Sequence, residues 1–302
     1  MRSDGGSRLG ELRGLLDRHA RPEATTAIDG VLIGRAITAY ENSASMSGTV
    51  LALIAQGAKT LALGERVFEY RAGQYLVASI DLPVTGHYTE APALGFGLVL
   101  DPAEIAEMLL QAPDGSLPPV TGAPSAIAVS DAPAELVDAA VRMLRLLETP
   151  RDIPVMAPLI RREILWRLVT GEQGATVRQL GLADSSLAHV ARSVRWIRDH
   201  YRESFRVEDV ARLAGMSVSA FHRNFQSVTA MSPIQFQKQI RLQEARLMLA
   251  TRPNDVTGVG HHVGYDSPSQ FSREYRRQFG APPSRDAARF RADAPLAALS
   301  VP

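Results

Sequence analysis

The chain has 302 residues, 45% of them hydrophobic, with 33 Lys and Arg against 32 Asp and Glu, which suffices for about two or three domains with real cores. It has no cysteine, which excludes disulfides, thiol nucleophiles and zinc-finger ligation. No apolar run reaches the roughly eighteen residues of a membrane span, and MRSDGGSRLGELRGLL at the N-terminus has no signal-peptide core, so a soluble cytoplasmic protein with no membrane partner is expected.

Residues 1–30 read as an N-terminal arm carrying a short helix, because Leu9, Leu12, Leu15 and Leu16 recur at helical spacing. From 31 to 110 the pattern changes to short apolar runs: VLIGRAITA, VLALIA, KTLAL, RVFEY, QYLVASI and ALGFGLVL, separated by Gln56-Gly57, Gly64-Glu65, Ala72-Gly73 and Leu82-Pro83. Short strands with frequent turn signals predict an antiparallel sandwich or barrel. Asp101-Pro102 opens a helix, with proline in its first turn.

Residues 111–185 read as linker and helices. The stretch 111–131 is rich in Pro, Gly, Ser and Ala and predicts a loop. Helices follow at 132–148 and 154–169, and 171–185 reads as a second linker. The apolar stripe Ile160, Ile164, Leu165 and Leu168 fits either a dimer face or the seat of the barrel.

Residues 186–290 predict seven helices, at 187–202, 207–214, 218–228, 233–250, 256–262, 268–279 and 283–290, with a frayed tail over 291–302. The helix 233–250, started by Ser232-Pro233, is apolar on opposite sides, with Ile234, Leu242, Ala245 and Leu249 on one and Phe236, Ile240 and Leu247 on the other. Such a helix is expected to be packed from both directions. On either side of it the same unit occurs twice, as VEDVARLAGMSVSAFHRNF and VTGVGHHVGYDSPSQFSREY. Each copy has a short helix, a glycine (Gly215, Gly264), a capping serine (Ser217, Ser267) and a helix with aromatic-x-Arg-x-aromatic. A helix, a glycine turn and a second amphipathic helix is the unit that enters a DNA major groove. Residues 186–290 carry 16 Lys and Arg against 9 Asp and Glu, while residues 1–185 carry 16 against 22. A module of net +7 is thus fused to one of net −6, and the basic one fits double-stranded DNA.

In the recognition helices the outward positions are Ser219, His222 and Arg223, then Ser269, Gln270 and Arg273, with Phe221, Phe225, Phe271 and Tyr275 inward. Arginine can bridge guanine O6 and N7, and glutamine adenine N6 and N7. Arg276 and Arg277, a turn later, fit phosphate. Ser217 and Ser267 are caps whose helix termini also offer N–H groups to phosphate.

Residues 187–290 resemble the DNA-binding domain of the AraC/XylS family of bacterial transcription regulators, through VARLAGMSVSAFHRNFQSVTAMSPIQF, RLQEARLML and VGYDSPSQFSREYRRQFGAPPS. ALIAQGAKTLALGERVFEYRAGQYLVASIDLPV and PLIRREILWRLVTG resemble the cupin-like regulatory domain and following helices of one branch of that family. The resemblance implies an α+β multidomain chain, with a cupin-like barrel or sandwich and flanking helices followed by two helix-turn-helix units joined by a long helix. It implies base contacts at the outward positions just named, a promoter as partner, and usually activation, hence RNA polymerase. Two departures stand out. Ala230 replaces the family's usual glycine, and Gly258, Gly260, His261 and His262 replace apolar residues in the second unit's leading helix. Two interior glycines cost about 0.8–1 kcal/mol each relative to alanine, so a looser second unit is expected.

No Walker loop and no Gly-x-Ser-x-Gly motif occurs, and His87 with Glu90 falls short of a cupin metal set. No enzyme activity, metal or cofactor is therefore expected. A regulator modulated by an unknown small-molecule effector and a constitutive homodimeric regulator with the barrel as scaffold both remain open. A cupin-type metal enzyme is the remotest alternative.

Overall fold

A computed structural model describes residues 4–39, 43–113, 115–119, 125–182, 185–252 and 254–292. The chain divides into two compact units between His189 and Val190.

The first unit is built on a seven-stranded antiparallel sheet: β1 (Val31–Ala36), β2 (Ser43–Met46), β3 (Val50–Leu63), β4 (Arg66–Arg71), β5 (Gln74–Ala78), β6 (Pro83–Val99) and β7 (Ile127–Asp131). Strands β3 and β6 pair along most of their length and exchange outer neighbours halfway. Val50–Leu53 of β3 face β5, whereas Ala58–Leu63 face β4. Ala93–Leu98 of β6 pair with β1, whereas Pro83–Gly86 pair with β2. The register slips between Ile54 and Lys59, where Gly57 takes φ +79, a conformation open to glycine. A Cβ on Gly57 would lie 2.5 Å from the carbonyl oxygen of Glu90. The dipeptide Gln56-Gly57 therefore marks a bulge inside one long strand, and the two apolar runs it separates belong to β3.

One face of this sheet, with Ile33, Leu51, Leu53, Val77, Phe96 and Leu98, packs on helices. These are α1 (Asp4–His19), α2 (Pro102–Gln111), α3 (Ala134–Arg145), α4 (Ile153–Thr170) and α5 (Gly174–Gly181), with short 3-10 turns at 146–148 and 150–152. Asp101 caps α2 by accepting from the Ala103 N–H at 2.8 Å.

Three expectations are corrected here. The arm over 1–30 is part of the core, since Leu12 and Leu16 of α1 are fully buried beside Leu136, Ala140 and Leu144 of α3. The loop over 111–131 contains β7, which pairs with β5 from Gln74↔Asp131 to Ala78↔Ile127. The second linker contains α5, whose Gly181 sits so close to α2 that a Cβ there would be 2.7 Å from the Ala106 nitrogen. The stripe Ile160, Ile164, Leu165 and Leu168 is buried within its own unit, which settles it as core. Exposed apolar residues on α4 are instead Val155, Met156 and Leu159.

The second unit is helical: α6 (Ser186–Asp199, which begins before the division), α7 (Val207–Leu213), α8 (Val218–Thr229), α9 (Pro233–Thr251), α10 (Val256–His262), α11 (Pro268–Phe279) and α12 (Pro283–Ala292). The expected tail lies outside the described residues beyond 292. A capping box between Ser232 and Gln235 starts α9. Phe236 of α9 meets Phe225 of α8 edge-on at 5.5 Å. Leu242, Ala245 and Leu249 cluster with Val259, Phe271, Tyr275 and Ala287. So α9 is packed from both directions, but Ile234 and Leu247 lie outside both contacts, 39% and 54% exposed. Each shares the azimuth of one buried face but lies at the other end of the helix from the residues packed there: Ile234 is a turn or more before Leu242, Ala245 and Leu249, and Leu247 lies beyond Phe236 and Ile240.

Candidate nucleic-acid interface

The two repeated units agree bond for bond. After α7, Gly215 takes φ +69, its N–H reaches the Arg212 carbonyl at 2.9 Å, and the Met216 N–H reaches that of Ala211 at 3.0 Å. After α10, Gly264 takes φ +94, its N–H reaches the His261 carbonyl at 3.0 Å, and the Tyr265 N–H reaches that of Gly260 at 3.0 Å. Both are glycine-terminated helix ends in which a left-handed residue lets the chain fold back on the last carbonyls. Ser217 then accepts from the Ala220 N–H, and Ser267 from the Gln270 N–H, each at 3.3 Å. The new helices α8 and α11 end alike. Ala230 (φ 58) donates to the Gln226 carbonyl at 2.9 Å, and Gly280 (φ 76) to that of Arg276 at 2.8 Å.

Each recognition helix turns its aromatic pair inward. Phe221 and Phe225 are fully buried with ring centres 5.3 Å apart, and Phe271 and Tyr275 are fully buried at 5.6 Å. The helical period then fixes what faces out. Ser219, His222 and Arg223 on α8, and Ser269, Gln270, Arg273, Arg276 and Arg277 on α11, are exposed. Ser217 is exposed and Ser267 partly buried. Among the described residues no acidic side chain lies within ion-pair distance of Arg223, Arg273, Arg276 or Arg277. Pairing with a described acidic residue therefore does not account for these cations.

Gln270 is held. Its Nε2 donates to Glu274 at 3.3 Å, and Glu274 also accepts from Lys238 Nζ and from the Tyr265 hydroxyl, each at 2.8 Å. Burial alone would raise the Glu274 carboxyl, but these three donors outweigh it and hold its pKa below the ordinary value. The second unit is also pinned to α12. Asp286, 4% exposed, accepts from Arg246 Nε and from the Tyr275 hydroxyl, each at 2.8 Å.

The leading helix α10 does not behave as helix propensity alone suggests. Asp255 caps it by accepting from the Gly258 N–H at 2.9 Å. Gly260 is buried, and a Cβ there would lie 3.0 Å from the Phe271 ring. This glycine is the contact at which α10 approaches α11. The expectation of a looser second unit is corrected to this extent: the residue that weakens the isolated helix permits the close packing of the pair.

Arg241, Glu274 and Asp286 were not evident from the sequence as organising groups. The available signal was a charge on a largely apolar side of a helix, as with Arg241, which shares its side of α9 with Ile234, Ala245 and Met248.

Residues 27–176 match the family model described as the AraC-type transcriptional regulator N-terminus, and residues 210–289 match a helix-turn-helix domain model. The chain is 27% identical over 232 residues to the HTH-type transcriptional regulator ExsA of Pseudomonas aeruginosa, covering 74% of this chain and 77% of that protein. It is 26% identical over 145 residues to the HTH-type transcriptional activator RhaS of Escherichia fergusonii, covering 47% of this chain and half, 50%, of the relative. Among solved structures, apo ToxT of Vibrio cholerae carrying one lysine-to-alanine substitution superposes with a TM-score of 0.55 at 8% identity, over 88% of this chain and 98% of that one. Wild-type ToxT bound to an unsaturated fatty acid gives a TM-score of 0.51 at 8% identity, over 85% and 93%. At that identity the likeness is one of fold.

Proposed function

The chain belongs to the AraC family of DNA-binding transcriptional regulators, and from that premise we propose that one copy reads promoter DNA with α8 and α11 in successive major grooves. Ser219, His222 and Arg223 contact base edges in one groove, and Ser269, Gln270 and Arg273 in the next. Arg276 and Arg277 hold phosphates, as do the helix termini capped by Ser217 and Ser267. The observation that carries this reading is the duplicated geometry itself: two recognition helices present arginines at matching positions, Arg223 and Arg273, without an acidic partner among the described residues. The strut α9 joins them, so a single chain recognises an asymmetric site about 34 Å from groove to groove.

The regulatory half of the proposal places a small effector in the first unit, with the protein acting in the cytoplasm as an activator that recruits RNA polymerase. A neighbour of the same fold holding a fatty acid supports ligand binding. An effector shifts DNA affinity only through unequal affinity for two arrangements of the protein. Homodimerisation is supported by the exposed Val155, Met156 and Leu159 on α4, because adjacent exposed apolar side chains mark contact surfaces.

Selection of bound fragments from the genome, followed by footprinting, tests the DNA reading. Protection of two major grooves on one DNA face per copy is expected. Protection of one groove, or binding without sequence preference, contradicts it.

A further inference from the structure

A single lysine stands in a row of mostly buried apolar and aromatic side chains on one face of the sheet. Lys59 of β3 lies opposite Tyr70 of β4 in one ladder and opposite Tyr88 of β6 in the other. Side chains alternate along a strand, so the row it shares includes Leu61 and Leu63 on β3 and Val84 on β6. Leu63, Val84, Tyr70 and Tyr88 are all at most 5% exposed. The alternate row, with Val67, Glu69 and Arg71, faces solvent. Lys59 is thus turned inward. Its ammonium stands 5.2 Å from the centre of the Tyr88 ring. Its stem passes Gly86, where a Cβ would be only 3.5 Å from Lys59 Cε.

This cation has no counter-charge among the described residues. Among the described residues no carboxylate forms an ion pair with it, and burial alone pushes its pKa down to about 8. Lys59 is half-buried, and an ammonium drawn out of water without an anionic partner is costly, so such charges in proteins are normally paired. Tyr88 supplies a ring face, a weaker partner than a carboxylate. Burial, with Tyr88 beside it, raises the Tyr70 hydroxyl far above its ordinary pKa, so it stays protonated and can donate to an anion. One ammonium, one protonated phenol and apolar walls suit a ligand with a single negative charge on an apolar body. A phosphate dianion would call for more than one cation.

We propose that Lys59, with Tyr70 and Tyr88, binds the carboxylate of an organic monoacid inside the first unit. This names the chemical class of the effector and rests, for its regulatory meaning only, on the effector reading given above.

The test uses the full chain with hexanoate, decanoate, benzoate and phenylacetate, each beside its primary amide. Thermal unfolding is followed at Trp166 in a Trp196→Phe background, and affinity is measured by calorimetry. At least one acid is expected to raise the midpoint and to bind tenfold or more tightly than its amide. Lys59→Met is expected to weaken that acid tenfold or more, while Lys59→Arg retains it. The unliganded Lys59→Met protein should unfold no earlier than the parent, because it loses a desolvated charge. Should Lys59→Met fail to fold, Lys59→Arg and Tyr70→Phe carry the comparison, with acid binding retained in the first and weakened in the second. Equal binding of acid and amide, undiminished binding by Lys59→Met, or no binding by any probe would overturn the proposal. A mobility-shift assay with the bound acid separates the two readings. Unchanged DNA affinity removes the effector role and leaves the binding site standing.

Discussion

Arg241 donates to the carbonyl oxygen of Gly264 at 2.6 Å. Its Nε also donates to the carbonyl of Tyr201 at 2.6 Å, and Nη2 to those of Arg202 and Glu203 at 3.1 Å. One side chain on α9 thereby ties the segment after α6 to the turn that aims α11. Gly264 can sit there only without a side chain, since a Cβ would lie 2.3 Å from the Arg202 carbonyl oxygen and its φ is +94. Replacing Arg241 by methionine removes the side-chain donor of the Gly264 and Arg202 carbonyls, while those of Tyr201 and Glu203 keep Gln237 Nε2. We expect a loss of about 1–3 kcal/mol, measured by urea unfolding followed at Trp196 in a Trp166→Phe background. A change within error would show that water replaces the guanidinium at no cost.

Gly260→Ala separates propensity from packing. Helix propensity alone favours the alanine by about 0.8–1 kcal/mol. The new methyl would meet the Phe271 ring at 3.0 Å, and that ring is held between Tyr265 at 5.3 Å and Tyr275 at 5.6 Å. Net destabilisation of about 1–2 kcal/mol is expected, as for an overpacked core. A more stable variant would mean that the aromatic cluster yields.

Ala230 occupies with φ 58 the place that Gly280 takes with φ 76 in the second unit. A left-handed alanine costs about 1–2 kcal/mol, and glycine returns part of this as entropy of the unfolded chain. Ala230→Gly is expected to raise stability by roughly 0.5 kcal/mol. The same unfolding assay reads it, and a lower midpoint would contradict the argument.

Arg223 and Arg276 should differ in kind. Arg223→Ala is expected to cost about 1–3 kcal/mol of binding to the preferred site and to relax selectivity at one base position. Arg276→Ala should weaken all sequences alike and reduce the salt slope by about 1. Titrations against a randomised site at several salt concentrations distinguish them, and identical selectivity profiles would remove the base-reading role of Arg223.

The carboxyl of Glu274 titrates below its ordinary value of 4.5. A carboxylate depressed by folding adds stability above its unfolded pKa, and that contribution disappears as pH falls through the folded one. Parent protein and Glu274→Gln should therefore differ by a constant amount at neutral pH and converge on acidification below 4.5. Parallel stability curves throughout would mean that the ion pair with Lys238 has no energetic weight. The variant should also lose preference at the base that Gln270 is proposed to read, because Glu274 accepts from the Gln270 amide.

The duplicated unit was legible in the sequence because each of its parts is set by neighbours a few residues away. A serine caps the N–H three residues on, a glycine supplies a left-handed turn, and aromatics four apart share one helix face, so these signals survive without knowledge of the rest of the fold. They fixed the helices among the described residues of the second unit and the outward placement of Arg223 and Arg273. Only the tertiary structure could decide the remainder. Whether Gly57 ends a strand or bulges within one depends on β6, and whether residues 111–131 form a loop depends on β5 offering an edge. Gly260 is a weakness in an isolated helix and a contact surface once Phe271 lies against it. Lys59 faces inward only because residues 59, 70 and 88 are brought into one register. The physical reason is common to all of these: burial and partnering belong to pairs of distant segments, and a linear pattern records only one member of each pair.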